Sequence, residues 1–222
     1  YWERDLFKHD MLGSPVYRRY LDAYMGGAVK GTTTVGLVTK DAVVMGADKR
    51  ATSGMYIAHK NVRKIEPIDD RAALTIAGLV ADAQTIADFL RYRSRLYYIT
   101  TGVPMSIKAM ASLLALVLNS SKYYPFIVQL LLGGIDDRPR LYQIELFGDV
   151  TEEKYVATGS GSPIAIGVLE SGYSEDLSVD QAVNLAREAI TASIKRDAYT
   201  GEGIDVVVIT RQGIKSLYFP VK

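Results

Sequence analysis

At 222 residues, 48% hydrophobic and 23% charged, the chain has the composition of one sizeable globular domain, which excludes an intrinsically disordered protein. Its 26 basic and 25 acidic residues leave a net charge of +1, so it lacks the electrostatic footprint of a nucleic-acid binder or of a protein held on an anionic membrane. The absence of cysteine, with His9 and His59 as the only histidines, excludes a disulfide framework and a thiolate zinc site, and neither a metal nor a cofactor is expected.

Residues 1–10 are charged and aromatic and lack the apolar core of a secretory signal. β-Branched and apolar runs at 33–39 and 42–48 flank Lys40-Asp41 and predict two strands joined by a tight hairpin. A second pair of strands is expected next, its first member within residues 55–65, which mix apolar and polar side chains irregularly. Pro67-Ile68-Asp69-Asp70 then supplies a turn into an apolar strand over 72–77, closed by Gly78.

Ile86, Phe89, Leu90 and Leu96 recur at near-helical spacing and predict a long amphipathic helix between Leu79 and Thr101, broken by Gly102-Val103-Pro104. Ser106 is placed to cap a second helix reaching about Lys122, with Pro125 beyond it. Strands return at 126–133 and 140–145, joined by a turn-rich segment, and again at 155–157. A short helix over 164–169 follows Gly159-Ser160-Gly161-Ser162-Pro163. Ser178 or Asp180 then caps a longer helix through Lys195, with Val183, Ala186, Ile190 and Ile194 on one face.

Residues 203–210 and 215–221 predict a closing hairpin. Its first strand carries Ile204 and Val206-Val207-Val208-Ile209, an almost continuous apolar run expected inside a sheet. The longest apolar stretches, 113–118 and 126–132, fall far short of the roughly 20 residues of a membrane-spanning helix. The order of strands, two helices, strands, two helices, strands predicts an α+β fold of stacked antiparallel sheets with helices outside, rather than alternating βαβ units.

Familiar catalytic motifs fail. Gly159-Ser160-Gly161 lacks the glycines that a nucleophile elbow needs two residues either side of its serine. The same stretch has Ile164 where a dinucleotide loop requires glycine, and no phosphate-loop lysine follows. With no serine or cysteine partner near either histidine in sequence, a histidine triad has nothing specific behind it. What remains is Gly31-Thr32-Thr33-Thr34-Val35-Gly36, which taken alone is ordinary β-branched strand sequence.

Read together with Gly46-Ala47-Asp48-Lys49-Arg50, Arg63-Lys64-Ile65, Thr75-Ile76-Ala77-Gly78, Asp82-Ala83-Gln84, Ala157-Thr158-Gly159-Ser160-Gly161-Ser162, Lys195-Arg196-Asp197 and Gly203-Ile204-Asp205, that segment resembles the proteasome β-subunits, of archaeal type and in precursor form. The resemblance runs over 32–222. It implies the N-terminal nucleophile hydrolase fold, a four-layer αββα sandwich. It also implies a propeptide over 1–31, removed by self-cleavage between Gly31 and Thr32, and a threonine endopeptidase that degrades unfolded proteins.

The chemistry assigned by that resemblance is coherent. A threonine hydroxyl needs a base, and an adjacent N-terminal amine supplies one. Such an amine, with a pKa near ~8, is about one-tenth free base at neutral pH, whereas a lysine near ~10.4 is free in only about one part in a few thousand. Thr32 is thus the expected nucleophile, its methyl restricting the rotamer. Lys64 is expected beside its oxygen, with Asp48 holding the lysine, though a strand-end salt bridge is the alternative for that pair. Ser160 and Asp197 are expected to hydrogen-bond around the new amine, or else to be a cap and a helix-end aspartate. Gly78 is expected to offer its N–H to the oxyanion, or simply to form a turn.

By the same resemblance, an extended peptide lies along the backbone near Thr52, Gly78 and Val80. Ala51, Val62, Ile76, Val80 and Gln84 would line a mostly apolar pocket, favouring cleavage after hydrophobic residues. The implied partners are β-subunits in heptameric rings, α-subunit rings, an ATP-dependent unfoldase and unfolded polypeptide, with a cytoplasmic location.

Two positions depart from the family pattern. Thr200 stands where a serine is usual three residues after Asp197, its extra methyl placed to disturb the network round the amine, and Leu79 replaces a small or polar residue, narrowing substrate access. They leave open a structural ring subunit that never matures and supports an active paralogue, and a non-proteolytic amidase is the other alternative.

Overall fold

The structure is a computed structural model that describes residues 31–221. Apart from Gly31, the leader expected over 1–31 lies outside these residues, as does Lys222. Strand β1 (Thr34–Val38) and strand β2 (Ala42–Asp48) form the predicted hairpin, closed by Thr39 N–H donating to Ala42 O at 2.9 Å. They join β10 (Tyr155–Thr158), β11 (Ile204–Thr210) and β12 (Gly213–Phe219) in a five-stranded sheet ordered β10-β1-β2-β11-β12. The apolar run of β11 is paired on both edges, as its composition requires.

The second five-stranded sheet runs β5 (Ile65–Pro67), β6 (Ala72–Gly78), β7 (Val128–Ile135), β8 (Pro139–Ile144) and β9 (Val150–Glu152), also antiparallel. A separate small hairpin joins β3 (Ala51–Ser53) and β4 (Tyr56–His59). The second strand pair expected across the turn is present as β5 with β6, but the stretch 55–65 holds only the first residue of β5, and β4 lies within it as a strand of the separate hairpin. β9 is a new element, its three residues all exposed.

The four helices described are α1 (Val80–Thr101), α2 (Ile107–Ser120), α3 (Ser162–Gly172) and α4 (Val179–Ile194). Ser106 caps α2, accepting from Ala109 N–H, and Ser178 forms a capping box with Gln181 on α4. α3 starts earlier and ends later than its apolar pattern indicates, with Pro163 in its first turn, where a missing N–H costs nothing. On α1 Ile86 and Leu90 face the core, whereas Leu96 is exposed.

Three apolar clusters give the layering. Ile86, Leu90, Met110 and Leu114 of α1 and α2 pack on Leu74, Ile76, Leu130 and Leu132 of the second sheet. Ala165, Leu169, Ala186 and Ile190 of α3 and α4 pack on Val35, Leu37, Val44 and Val206 of the first. Between the sheets lie Val43, Met45, Ala47, Ala73, Leu131, Leu141, Val207 and Ile209. Successive residues of β2 and β11 therefore enter different clusters, because strand side chains alternate between faces. This is the expected αββα sandwich.

Candidate active site

Strand register assembles the site. The β1–β2 pairing sets Thr34 opposite Ala47, so one step further Asp48 N–H donates to Thr33 O at 3.2 Å and the Asp48 carboxylate lies beside Thr32. The β1–β10 pairing sets Thr34 opposite Thr158, which carries Ser160 to the same end of the strand. The second sheet contributes Lys64, immediately before β5, whose carbonyl accepts from Ile76 N–H at 2.9 Å.

Thr32 Oγ1 donates to Asp48 Oδ1 at 2.8 Å and accepts a hydrogen bond from Lys64 Nζ, which also donates to Asp48 Oδ1 at 2.6 Å. Asp48 is fully buried, and its charge is compensated further by backbone N–H donors: Thr33 to Oδ1, and Arg50 and Gly201 to Oδ2, each at 3.0 Å. Burial pushes the Lys64 ammonium below the usual lysine range, while Asp48 beside it opposes that shift.

The nitrogen of Thr32 faces a second network. Thr32 N–H donates to Ser160 Oγ at 3.1 Å, and Ser160 O–H donates to Asp197 Oδ2 at 2.6 Å. Asp197 Oδ2 also accepts from Thr200 Oγ1, whose hydroxyl lies 2.7 Å from that of Thr33. The methyl of Thr200 is accommodated, since the residue is completely buried with its hydroxyl bonded to both neighbours. Here the structure differs from the disturbance expected of that substitution.

Gly78 ends β6 at φ 119°, and a Cβ there would stand 2.2 Å from Ile127 O, so the fold itself requires glycine. Strand N–H groups alternate in direction, so that of Gly78 turns to the edge from which Ile76 N–H reaches Lys64 O.

Thr32, Lys64 and Gly78 line one cleft together with Ala51, Val62, Ile76, Val80 and Gln84. Thr52 is buried on β3 outside that lining, and Leu79, exposed as the residue that caps α1, stands between the lining residues Gly78 and Val80.

Sequence reasoning missed three charged residues of the same cleft: Arg50, Arg63 and Glu66. Glu66 was discoverable, because in an extended segment it falls on the same side as Lys64. It pairs with Arg91 at 2.5 Å and sits 4.0 Å from Arg63, while Arg50 pairs with Glu202 at 3.0 Å.

Comparisons with known proteins place the chain in a family. A family model described as "Proteasome subunit" matches residues 28–209. "Proteasome subunit beta 2" of Hyperthermus butylicus is 55% identical over 195 residues, covering 88% of this chain and 92% of that protein. The proteins of the same description from Aeropyrum pernix and Sulfolobus acidocaldarius are 54% and 52% identical, covering 86% and 83% of this chain and 87% and 91% of their own lengths.

Proposed function

The chain belongs to the proteasome subunit family, as a core-particle β-subunit that assembles with other proteasome subunits, and on that premise we propose that it is a threonine endopeptidase with Thr32 as nucleophile. One observation carries the reading: Thr32 Oγ1 lies within hydrogen-bond reach of both the Lys64 ammonium and Asp48 Oδ1. No strand-end salt bridge needs a buried hydroxyl held between its two charges.

In the proposed self-cleavage, Thr32 Oγ1 attacks the Gly31 carbonyl carbon. The bond to Thr32 N breaks, that nitrogen gains the proton, and water hydrolyses the resulting ester. The freed amine then stands where Ser160 Oγ already accepts from Thr32 N–H, with Asp197 fixing the serine.

In peptide hydrolysis this amine takes the Thr32 proton. The Lys64 ammonium favours the alkoxide, and Gly78 N–H stabilises the tetrahedral oxyanion. Ala51, Val62, Ile76 and Val80 supply an apolar wall, which supports cleavage of unfolded polypeptide after hydrophobic residues. The setting we propose is heptameric β-rings between α-rings in the cytoplasm, fed by an ATP-dependent unfoldase.

The test is the intact mass of the chain after co-assembly with its α-subunits. The wild-type chain is expected to lose residues 1–31 and the Thr32→Ala chain to keep them. A wild-type leader retained in fully assembled particles would overturn the reading in favour of a structural ring subunit.

A further inference from the structure

We propose that Tyr199 is a positioning residue for the self-cleavage: its side-chain root closes on Gly31 and thereby admits only glycine before the nucleophile. The inference rests on the self-cleavage reading above. A Cβ built on Gly31 would stand 2.0 Å from Tyr199 Cβ, 2.4 Å from Tyr199 Cγ and 2.8 Å from Ser160 Oγ. The close approach of Tyr199 and Ser160 puts a requirement of space on position 31.

Neither side of this contact can withdraw cheaply. Tyr199 Cβ is bonded directly to the main chain, so no side-chain rotation moves it. That main chain is tied down by Tyr199 N–H to Asp197 Oδ1 at 3.3 Å, Thr200 N–H to Asp197 O at 3.3 Å and Gly201 N–H to Asp48 Oδ2 at 3.0 Å. On the other side, Thr32 N–H on Ser160 and Thr33 N–H on Asp48 hold the junction at 3.1 and 3.0 Å. A methyl at position 31 must then displace the Gly31 carbonyl carbon, the atom that Thr32 Oγ1 attacks. A misplacement of about 1 Å at a reacting centre costs on the order of 10²-fold in rate.

A double-mutant cycle on the full chain co-assembled with its α-subunits tests this, with the rate of leader loss read by intact mass. Gly31→Ala is expected to slow cleavage by on the order of 10²-fold. In the Tyr199→Ala background, which keeps the offending Cβ, the same change should cost nearly as much. In the Tyr199→Gly background it should cost less than about tenfold. Equal costs in all three backgrounds, or a Tyr199→Gly chain that assembles without cleaving, would overturn the proposal.

If Tyr199→Gly does not assemble, a crystal structure of assembled Gly31→Ala particles decides. Thr32 N is expected to have moved off Ser160 Oγ, and an unchanged separation would overturn the proposal. Failure of the underlying reading is recognised separately, by a wild-type chain that keeps its leader or a Thr32→Ala chain that loses it.

Discussion

Lys64 and Lys40 each meet an aspartate at nearly the same distance, 2.6 Å to Asp48 and 2.5 Å to Asp176, yet the two lysines shift in opposite directions. The side chains of the first pair are 7% and 0% exposed, those of the second 72% and 79%. Loss of hydration pushes Lys64 down despite its aspartate, whereas the Asp176 hydrogen bond raises Lys40 above the ordinary lysine value. The distance between two charges therefore says little about their role. Burial decides whether a pair is a solvated accessory or a poised ammonium against a nucleophile.

Breaking the buried pair should have the largest effect. Lys64→Ala is expected to slow leader removal by about 10²–10³-fold, the usual loss when a transition-state charge partner is removed. It should also destabilise the fold by about 3–5 kcal/mol by stranding a buried carboxylate. Intact mass and denaturant unfolding measure the two.

The pH dependence sharpens the comparison. With its value lowered in the folded state, Lys64 loses its proton below the ordinary 10.5, so the alkaline limb of peptidase activity should lie below that pH. Asp48→Asn removes the neighbour that raises Lys64 and should move the limb lower still; a limb that stays in place would contradict the assignment.

The unfolded chain binds this proton more tightly than the folded one. The stability contribution of Lys64 is thus complete above 10.5 and lost as pH falls through the folded value. A urea titration across that window should show stability rising with pH.

Losing the buried Thr200 hydroxyl, which donates to Asp197, should cost less than losing the cation of the ion pair. Thr200→Val leaves the buried Thr33 hydroxyl without its neighbour at 2.7 Å, which should destabilise by about 1–3 kcal/mol. Lys40→Ala should do least, leaving peptidase activity within about twofold and the melting temperature unmoved, as for most exposed ion pairs. A surface pair that mattered as much as the buried one would break the comparison.

Legibility in the sequence followed the same division. The β1–β2 hairpin, the caps at Ser106 and Ser178 and the interior β11 announce themselves, because each rests on local turn chemistry, capping or a long apolar run. Strand β9 does not, and the second strand pair was expected with the wrong bounds, 55–65 resolving into β4 and the start of β5, since three or four residues of mixed polarity become strands only when a neighbour offers a ladder. Of the cleft, Ala51, Val62, Ile76, Val80 and Gln84 were named through family resemblance, whereas Arg63 and Glu66 were not. Their place in the lining depends on how β5 sits against β6.

By itself the sequence pointed to the stacked-sheet class, excluded cysteine chemistry, and offered no specific pattern for a histidine triad or a nucleotide loop. It also singled out a threonine run at the start of the first strand. Only the tertiary structure decided that Thr32, Asp48 and Lys64 meet, that Lys64 loses its water, and that Tyr199 presses on Gly31. Strand pattern is a property of neighbouring residues and can be read along the chain. Burial and close approach are made by segments distant in sequence, and exist only once the sheets have packed.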